Sequence, residues 1–205
     1  MKVRFIIAAL FLPFLVLAQI KHEELTQKYR EGWDKLIPTH VKSQFAGSMG
    51  MLSAGIGWDY GKKRQWETDL LFGIVPGHKH REGHATFTLK ETYTPFRINL
   101  GNDFHYEPLT TGLYMTRIFG EYFWAKQPSR YPKGYYFWSV NTRFNVFLGQ
   151  SITIPVNSKH LSQSLSLFFE VNTNDLYFIS YIGNEVIKLN DIIGISAGVR
   201  FRFFD

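Results

Sequence analysis

I-I-G-I-S-A-G-V-R-F-R-F-F, running from Ile192 to Phe204, is the stretch whose reading decides the fold. In an extended strand, Ile193, Ile195, Ala197, Val199, Phe201 and Phe203 share one face. Gly194, Ser196, Gly198, Arg200, Arg202 and Phe204 share the other. The first face is apolar without interruption, and the second is small or cationic. This alternation suits a strand with lipid on one side and the polar interior of a closed barrel on the other.

Working outward, the same alternation recurs. Between Gln65 and Pro76, Trp66, Thr68, Leu70, Phe72 and Ile74 alternate with Glu67, Asp69, Leu71 and Gly73. Between Tyr135 and Gly149, Tyr136, Trp138, Val140, Thr142, Phe144, Val146 and Leu148 oppose Ser139, Asn141, Arg143 and Asn145. Between Gln163 and Asn174, Leu165, Leu167, Phe169 and Val171 oppose Ser164, Ser166, Glu170 and Asn172. These period-two runs predict strands.

Three further segments are less regular. In 84–95, Glu91 shares a face with Phe87, Leu89 and Tyr93; 104–119 carries Leu109, Leu113 and Met115; 176–188 begins apolar on both faces. The Gly-rich segment 41–60 reads as one long strand with a bulge near Gly50. Strands at 41–60, 65–76, 84–95, 104–119, 135–149, 163–174, 176–188 and 192–204 give an all-β, antiparallel transmembrane β-barrel of eight strands, with ten as the alternative. This count puts the connections at 77–83 and 120–134 on the same side as the chain termini, and loops at 96–103 and 150–162 on the other.

The start of the chain predicts export. Lys2 and Arg4 precede an uncharged run to Ala18, and Val16-Leu17-Ala18 fits a secretory cleavage site, so residues 1–18 are expected to be a signal peptide. Residues 19–38 read as a short amphipathic helix: Leu25, Tyr29, Trp33, Leu36 and Ile37 lie at helical spacing and Pro38 ends the run. That helix either lies in the membrane interface or packs with no role of its own. Residues 39–205 are left for the barrel.

Composition agrees. Aromatic residues make up 17% of the chain, enough to favour a membrane interface, and no later run is long and apolar enough for a spanning helix. Cysteine is absent, which excludes a disulfide framework. The formal net charge of +6 is small and its basic residues are dispersed, which argues against nucleic-acid binding.

The candidate site is the barrel interior. Glu67, Asp69, Arg143, Glu170, Arg200 and Arg202 face inward, with Lys90 and Glu91 as further candidates, and buried charges must be paired. The plain reading is a salt-bridged filling of the lumen; the sharper one is a polar headgroup site at one mouth. His78, His80 and His84 could share a metal ion, but Lys79 and Arg81 beside them oppose a cation, so a solvated turn is the expectation and no cofactor is implied. No G-x-S-x-G elbow or phosphate loop is present, so no catalytic residue is assigned.

The leader, the first-strand run M-G-M-L-S-A-G-I-G-W-D-Y and the ending V-R-F-R-F-F together resemble small outer-membrane β-barrel proteins of Gram-negative bacteria. Asp205 follows the terminal aromatic that this family usually shows. The resemblance implies an outer-membrane location. It also implies contact with outer-membrane lipids and lipopolysaccharide, handling by the barrel-assembly machinery and, for some members, association with other envelope proteins. A helix ahead of eight strands is similar to the lipid A palmitoyltransferase layout, from which no catalytic histidine or serine is carried over onto residues of this chain. Two functions follow: a barrel with a structural, envelope-integrity or surface-interaction role, or a lipid-modifying enzyme acting on lipid A.

Overall fold

The computed structural model describes residues 32–77, 83–102, 104–120, 141–158, 161–183 and 187–203. The chain divides into Met1–Pro38 and Thr39–Asp205. Of the first unit, residues 32–34 form a helical turn, and Leu36 N donates to Trp33 O at 2.9 Å. The expected signal peptide and most of the expected helix lie outside the described residues.

The second unit is a closed antiparallel β-barrel of eight strands. Its first strands are β1 (His40–Ala46), β2 (Leu52–Tyr60), β3 (Trp66–Val75) and β4 (His84–Tyr93). Then come the short β5 (Ile98–Gly101) and β6 (Phe104–Phe119). The last three are β7 (Thr142–Ser158), β8 (Leu161–Asn174) and β9 (Gly194–Arg202). β1 to β4 pair in chain order, as do β5 to β9, β9 returns to β1, and β4 pairs directly with β6. β5 therefore adds only a small hairpin on the margin of β6.

The total of eight matches the expectation, but two strands are not where the sequence places them. The segment 41–60 is a hairpin. Ala46, Gly47, Ser48 and Gly50 all have positive φ, at 62°, 80°, 60° and 130°, and Ala46 N donates to Met51 O across the turn at 3.0 Å. Gly50 sits against the backbone of Ile74, so a side chain there would be both strained and crowded.

The expected strand at 176–188 is helical: α1 spans Asp175–Gly183 and α2 spans Leu189–Ile192. Asn174 Oδ1 accepts from Tyr177 N at 2.9 Å, which caps the first turn of α1. Apolar residues on both faces are shared by a buried strand and a helix in apolar surroundings, and this cap separates them.

The revised strand order corrects the sidedness of the loops. His40 and Arg202, paired at one rim, mark the terminal end of the barrel. The connections 47–51, 76–83, 120–141 and 175–193 all leave from the opposite end, and 61–65, 94–103 and 159–160 join strands that end at the terminal end. The two longest connections, 120–141 and 175–193, thus leave from the end opposite the His40–Arg202 rim. The expected loop at 150–162 is instead the β7–β8 hairpin, which is paired from Asn145↔Asn174 to Ser158↔Leu161. Pro155 is tolerated there because β6, which pairs His105 with Thr153, does not extend so far, leaving one margin of β7 free.

Side-chain orientation follows the predicted alternation but inverts the usual pattern of a water-soluble core. Among the described residues, the buried hydrophobic side chains are Met49, Leu71, Tyr114, Phe147 and Ile192. Large apolar residues such as Phe72, Leu113, Leu148 and Ile195 point outward and are exposed. Met49 is carried inward by the β1–β2 turn and packs with Leu71, Tyr114 and Phe147 as an apolar plug toward the loop end. Tyr114 Oη donates to Gly47 O at 2.6 Å, and Thr86 Oγ1 donates to Met49 O, holding the turn in place.

Candidate functional site

Below the plug, the lumen is filled by charge. In β1, His40, Lys42 and Gln44 point inward. β2 contributes Asp59, β3 Glu67 and Asp69, β4 Lys90, β6 Glu107, β8 Glu170 and β9 Arg200 and Arg202. Arg97 reaches Glu107 from the β4–β5 connection, with Nη2 at 2.6 Å from Oε1. Lys42, Lys90, Arg97, Arg200 and Arg202 thus face Asp59, Glu67, Asp69, Glu107 and Glu170, one carboxylate for each lysine or arginine.

The pairing is specific. Lys42 Nζ donates to both Glu67 and Asp69, and Arg200 Nη1 donates to Glu67. The second guanidinium nitrogen of Arg200 donates to Ser166 Oγ at 3.1 Å and lies 3.5 Å from Glu107 Oε2. Arg202 grips Asp59 with two nitrogens, Nε at 2.8 Å and Nη2 at 3.0 Å, in the bidentate geometry that makes arginine–carboxylate pairs strong.

Deeper toward the plug, Lys90 Nζ lies 2.5 and 2.7 Å from the two oxygens of Glu170. It also stands over the Phe147 ring at 4.2 Å. Gln44 bridges the same pair, accepting from Lys90 and donating to Glu170, each at 3.2 Å.

His40 is fully enclosed. Its Nε2 lies 2.8 Å from Asp69 Oδ1, and its Nδ1 lies 3.1 Å from Thr39 Oγ1 and 3.5 Å from Asp59 Oδ2. Gly57 across the strand makes this possible, since a β-carbon there would strike both the His40 ring and the Asp69 carboxylate.

The structure brings together Glu67, Asp69, Glu170, Arg200 and Arg202 among the sequence-predicted residues. Arg200 and Arg202 share Glu67 and turn to Glu107 and Asp59, while Asp69 and Glu170 serve Lys42 and Lys90. Arg143 is placed near the loop end, opposite Thr116, where its Nη1 donates to Thr142 O at 3.2 Å. Glu91 faces outward and accepts from Thr68 Oγ1 at 2.5 Å and from Tyr60 Oη.

Sequence reasoning missed His40, Lys42, Glu107 and Arg97 and left Asp59 out of the charge network. His40 and Lys42 were hidden by the unrecognised turn, and Glu107 by a register shift between Glu107 and Thr110. Asp59 lies on the inward face of β2, its side chain buried against Arg202.

His40, Glu67 and Asp69 offer ligand atoms within 4.8 Å of one another, the spacing of a metal site. Lys42 already bonds both carboxylates and Arg200 bonds Glu67, so cationic side chains occupy the positions a metal ion would take. Of the histidine turn, His78 and His80 lie outside the described residues, and His84 opens β4 opposite Val75. Addition of zinc to the purified protein is expected to leave its thermal unfolding midpoint unchanged. A rise that grows with zinc concentration would assign a metal to one of these clusters.

No protein-family model matches this chain, and no curated protein and no solved structure matches it either.

Proposed function

We propose that this chain is an outer-membrane β-barrel of a Gram-negative cell envelope, with a structural, envelope-integrity or surface-interaction role and a filled, charge-paired lumen. The observation that carries the reading is the inversion of burial: ion-paired side chains occupy the interior while an apolar band covers the outside. A water-soluble barrel places its apolar side chains inward, whereas a lipid-facing one requires the reverse.

Strand dimensions support the same reading. β2, β3, β4 and β9 run 9, 10, 10 and 9 residues, within the 9–11 that a tilted strand needs to cross a bilayer. Trp58, Tyr60, Trp66 and Tyr93 gather on the outer surface near the terminal end, with the Trp66 and Tyr93 rings 4.6 Å apart, as in an interfacial aromatic girdle. The two longest connections, 120–141 and 175–193, leave from the end opposite the His40–Arg202 rim, which fits the outer-membrane pattern of longer external loops. A lumen packed with paired charge and an apolar plug suits a wall element better than a conduit. Its partners on this reading are outer-membrane lipids and lipopolysaccharide, the assembly machinery during insertion, and other envelope proteins at the loop end.

Cell fractionation tests the proposal. The protein is expected in the outer-membrane fraction, and unheated samples should migrate differently on a denaturing gel from boiled ones. Recovery as a soluble periplasmic monomer with no heat-dependent mobility would overturn it.

A further inference from the structure

Along the outward faces of β2, β3 and β4, Glu91 alone is charged. The register sets one row of Trp58, Thr68 and Glu91 across these strands and, nearer the terminal rim, a second row of Tyr60, Trp66 and Tyr93. The next row toward the loop end, Ile56, Leu70 and Leu89, is wholly apolar. A carboxylate therefore stands where the aromatic girdle meets the proposed lipid-facing band. An ionisable side chain on such a wall is costly unless a partner pairs with it.

Within the chain the pairing is incomplete. Tyr60 Oη donates to Glu91 Oε1, and Thr68 Oγ1 donates to Oε2 at 2.5 Å. Each carboxylate oxygen accepts about two hydrogen bonds, so one lone pair on each is left over. Glu91 is half-buried, and among the described residues no lysine, arginine or histidine forms an ion pair with it. The two hydroxyls orient the carboxylate without neutralising it.

Depth and surroundings select the missing cation. Glu91 lies two residues inside Tyr93, the last residue of β4, which is roughly 7 Å along the strand and about 5 Å along the membrane normal at a tilt of about 45°. That is the interfacial layer, where phospholipid headgroups lie. The Trp66 and Tyr93 rings, 4.6 Å apart, occupy the adjacent row, and aromatic faces attract an ammonium. A second copy of the chain packed here about a two-fold axis would bring two Glu91 carboxylates together, which like charge opposes.

We propose that the Glu91 patch binds the primary ammonium of a phosphatidylethanolamine-type headgroup, which donates N–H groups to the carboxylate beside the Trp66 and Tyr93 rings. A quaternary ammonium is attracted by the same rings but has no N–H to donate, so the patch distinguishes the two headgroups. The inference rests on the membrane reading of the barrel.

The test refolds the full chain in vesicles of equal parts phosphatidylethanolamine and phosphatidylcholine with matched acyl chains, extracts it in mild detergent, and compares the retained lipids by native mass spectrometry. Both lipids carry the same net charge, so the basic turn Lys62, Lys63 and Arg64 beyond Tyr60 acts on them alike. Wild type is expected to retain phosphatidylethanolamine about fivefold over phosphatidylcholine, the discrimination of one charge-assisted contact at a half-exposed site. Glu91→Leu, which suits a lipid-facing wall, should bring the ratio to about one. Asp175→Asn, which removes the same charge at the opposite end of the barrel, should leave it at about fivefold. All three proteins should show the same heat-dependent mobility. Failure of wild type to insert overturns the membrane reading and the headgroup site with it. Insertion with equal retention of the two lipids, with an unchanged ratio in Glu91→Leu, with an equal loss in Asp175→Asn, or with a second copy of the chain in place of lipid overturns the headgroup site alone.

Discussion

Leu148→Arg is expected to destabilise the barrel in a bilayer by about 2–4 kcal/mol, the cost of arginine on the lipid face near the membrane midplane. Leu148 lies midway along β7, 59% exposed, with Thr111 and Val171 as its cross-strand partners. On a water-facing surface the same change would stay within about 0.5 kcal/mol, because an exposed position away from caps and networks tolerates a charge. The two environments therefore predict effects several-fold apart.

Depth supplies the control. Tyr60 belongs to the girdle near the terminal end, and Tyr60→Arg should cost only about 0–1 kcal/mol in lipid. Denaturant unfolding of both variants refolded in vesicles, followed by tryptophan fluorescence, gives the comparison. Equal small losses at both positions would mean that the outer face of β7 meets water, and the proposed location would fail.

The outward face was readable because period-two alternation depends on local sequence alone. Leu165, Leu167, Phe169 and Val171 sit where the pattern puts them, as do Glu67 and Asp69 on the opposite face of their strand. The departures arise where alternation is locally suspended. At Ala46, Gly47, Ser48 and Gly50 the chain takes positive φ, and the Gly-rich run resembles a bulged strand because both use glycine for positive φ. Once the turn is placed there, Val41, Ser43 and Phe45 fall outside and His40, Lys42 and Gln44 inside. Every inward side chain of β1 follows from that one turn.

The identity of each partner was less legible than its orientation. Glu67 and Glu107 come within reach of the same Arg200 only through barrel closure, which brings β3 and β6 toward β9 across the lumen. Sequence separation carries no trace of such a contact. α1 is a different case: its capping asparagine, Asn174, is visible in the chain, but the apolar run behind it gives no amphipathic period to confirm a helix.

Breaking the Lys90–Glu170 pair is expected to be the most damaging single change in the lumen. Both groups are buried, Lys90 completely, and Lys90→Met leaves the Glu170 carboxylate, among the described residues, with Gln44 at 3.2 Å and Ser196 at 3.3 Å. An uncompensated buried charge of this kind costs about 3–5 kcal/mol, and Glu170→Leu should cost a similar amount by stranding the ammonium.

The double variant, Lys90→Met with Glu170→Leu, should behave differently. Phe147, Phe168 and Tyr114 already surround Lys90, so the two apolar replacements would enter an aromatic environment without either desolvated charge. Gln44 would then lose both of its partners, retaining a penalty of about 1–3 kcal/mol for an unsatisfied buried amide. The double variant is therefore expected to recover most of the single-variant loss, and adding Gln44→Leu should recover more. Unfolding midpoints for the cycle decide between a dry, packed lumen and a hydrated one. If each single change costs less than about 1 kcal/mol, water screens the pair, the lumen is open to solvent at this depth, and a wall element with a sealed interior is the wrong description.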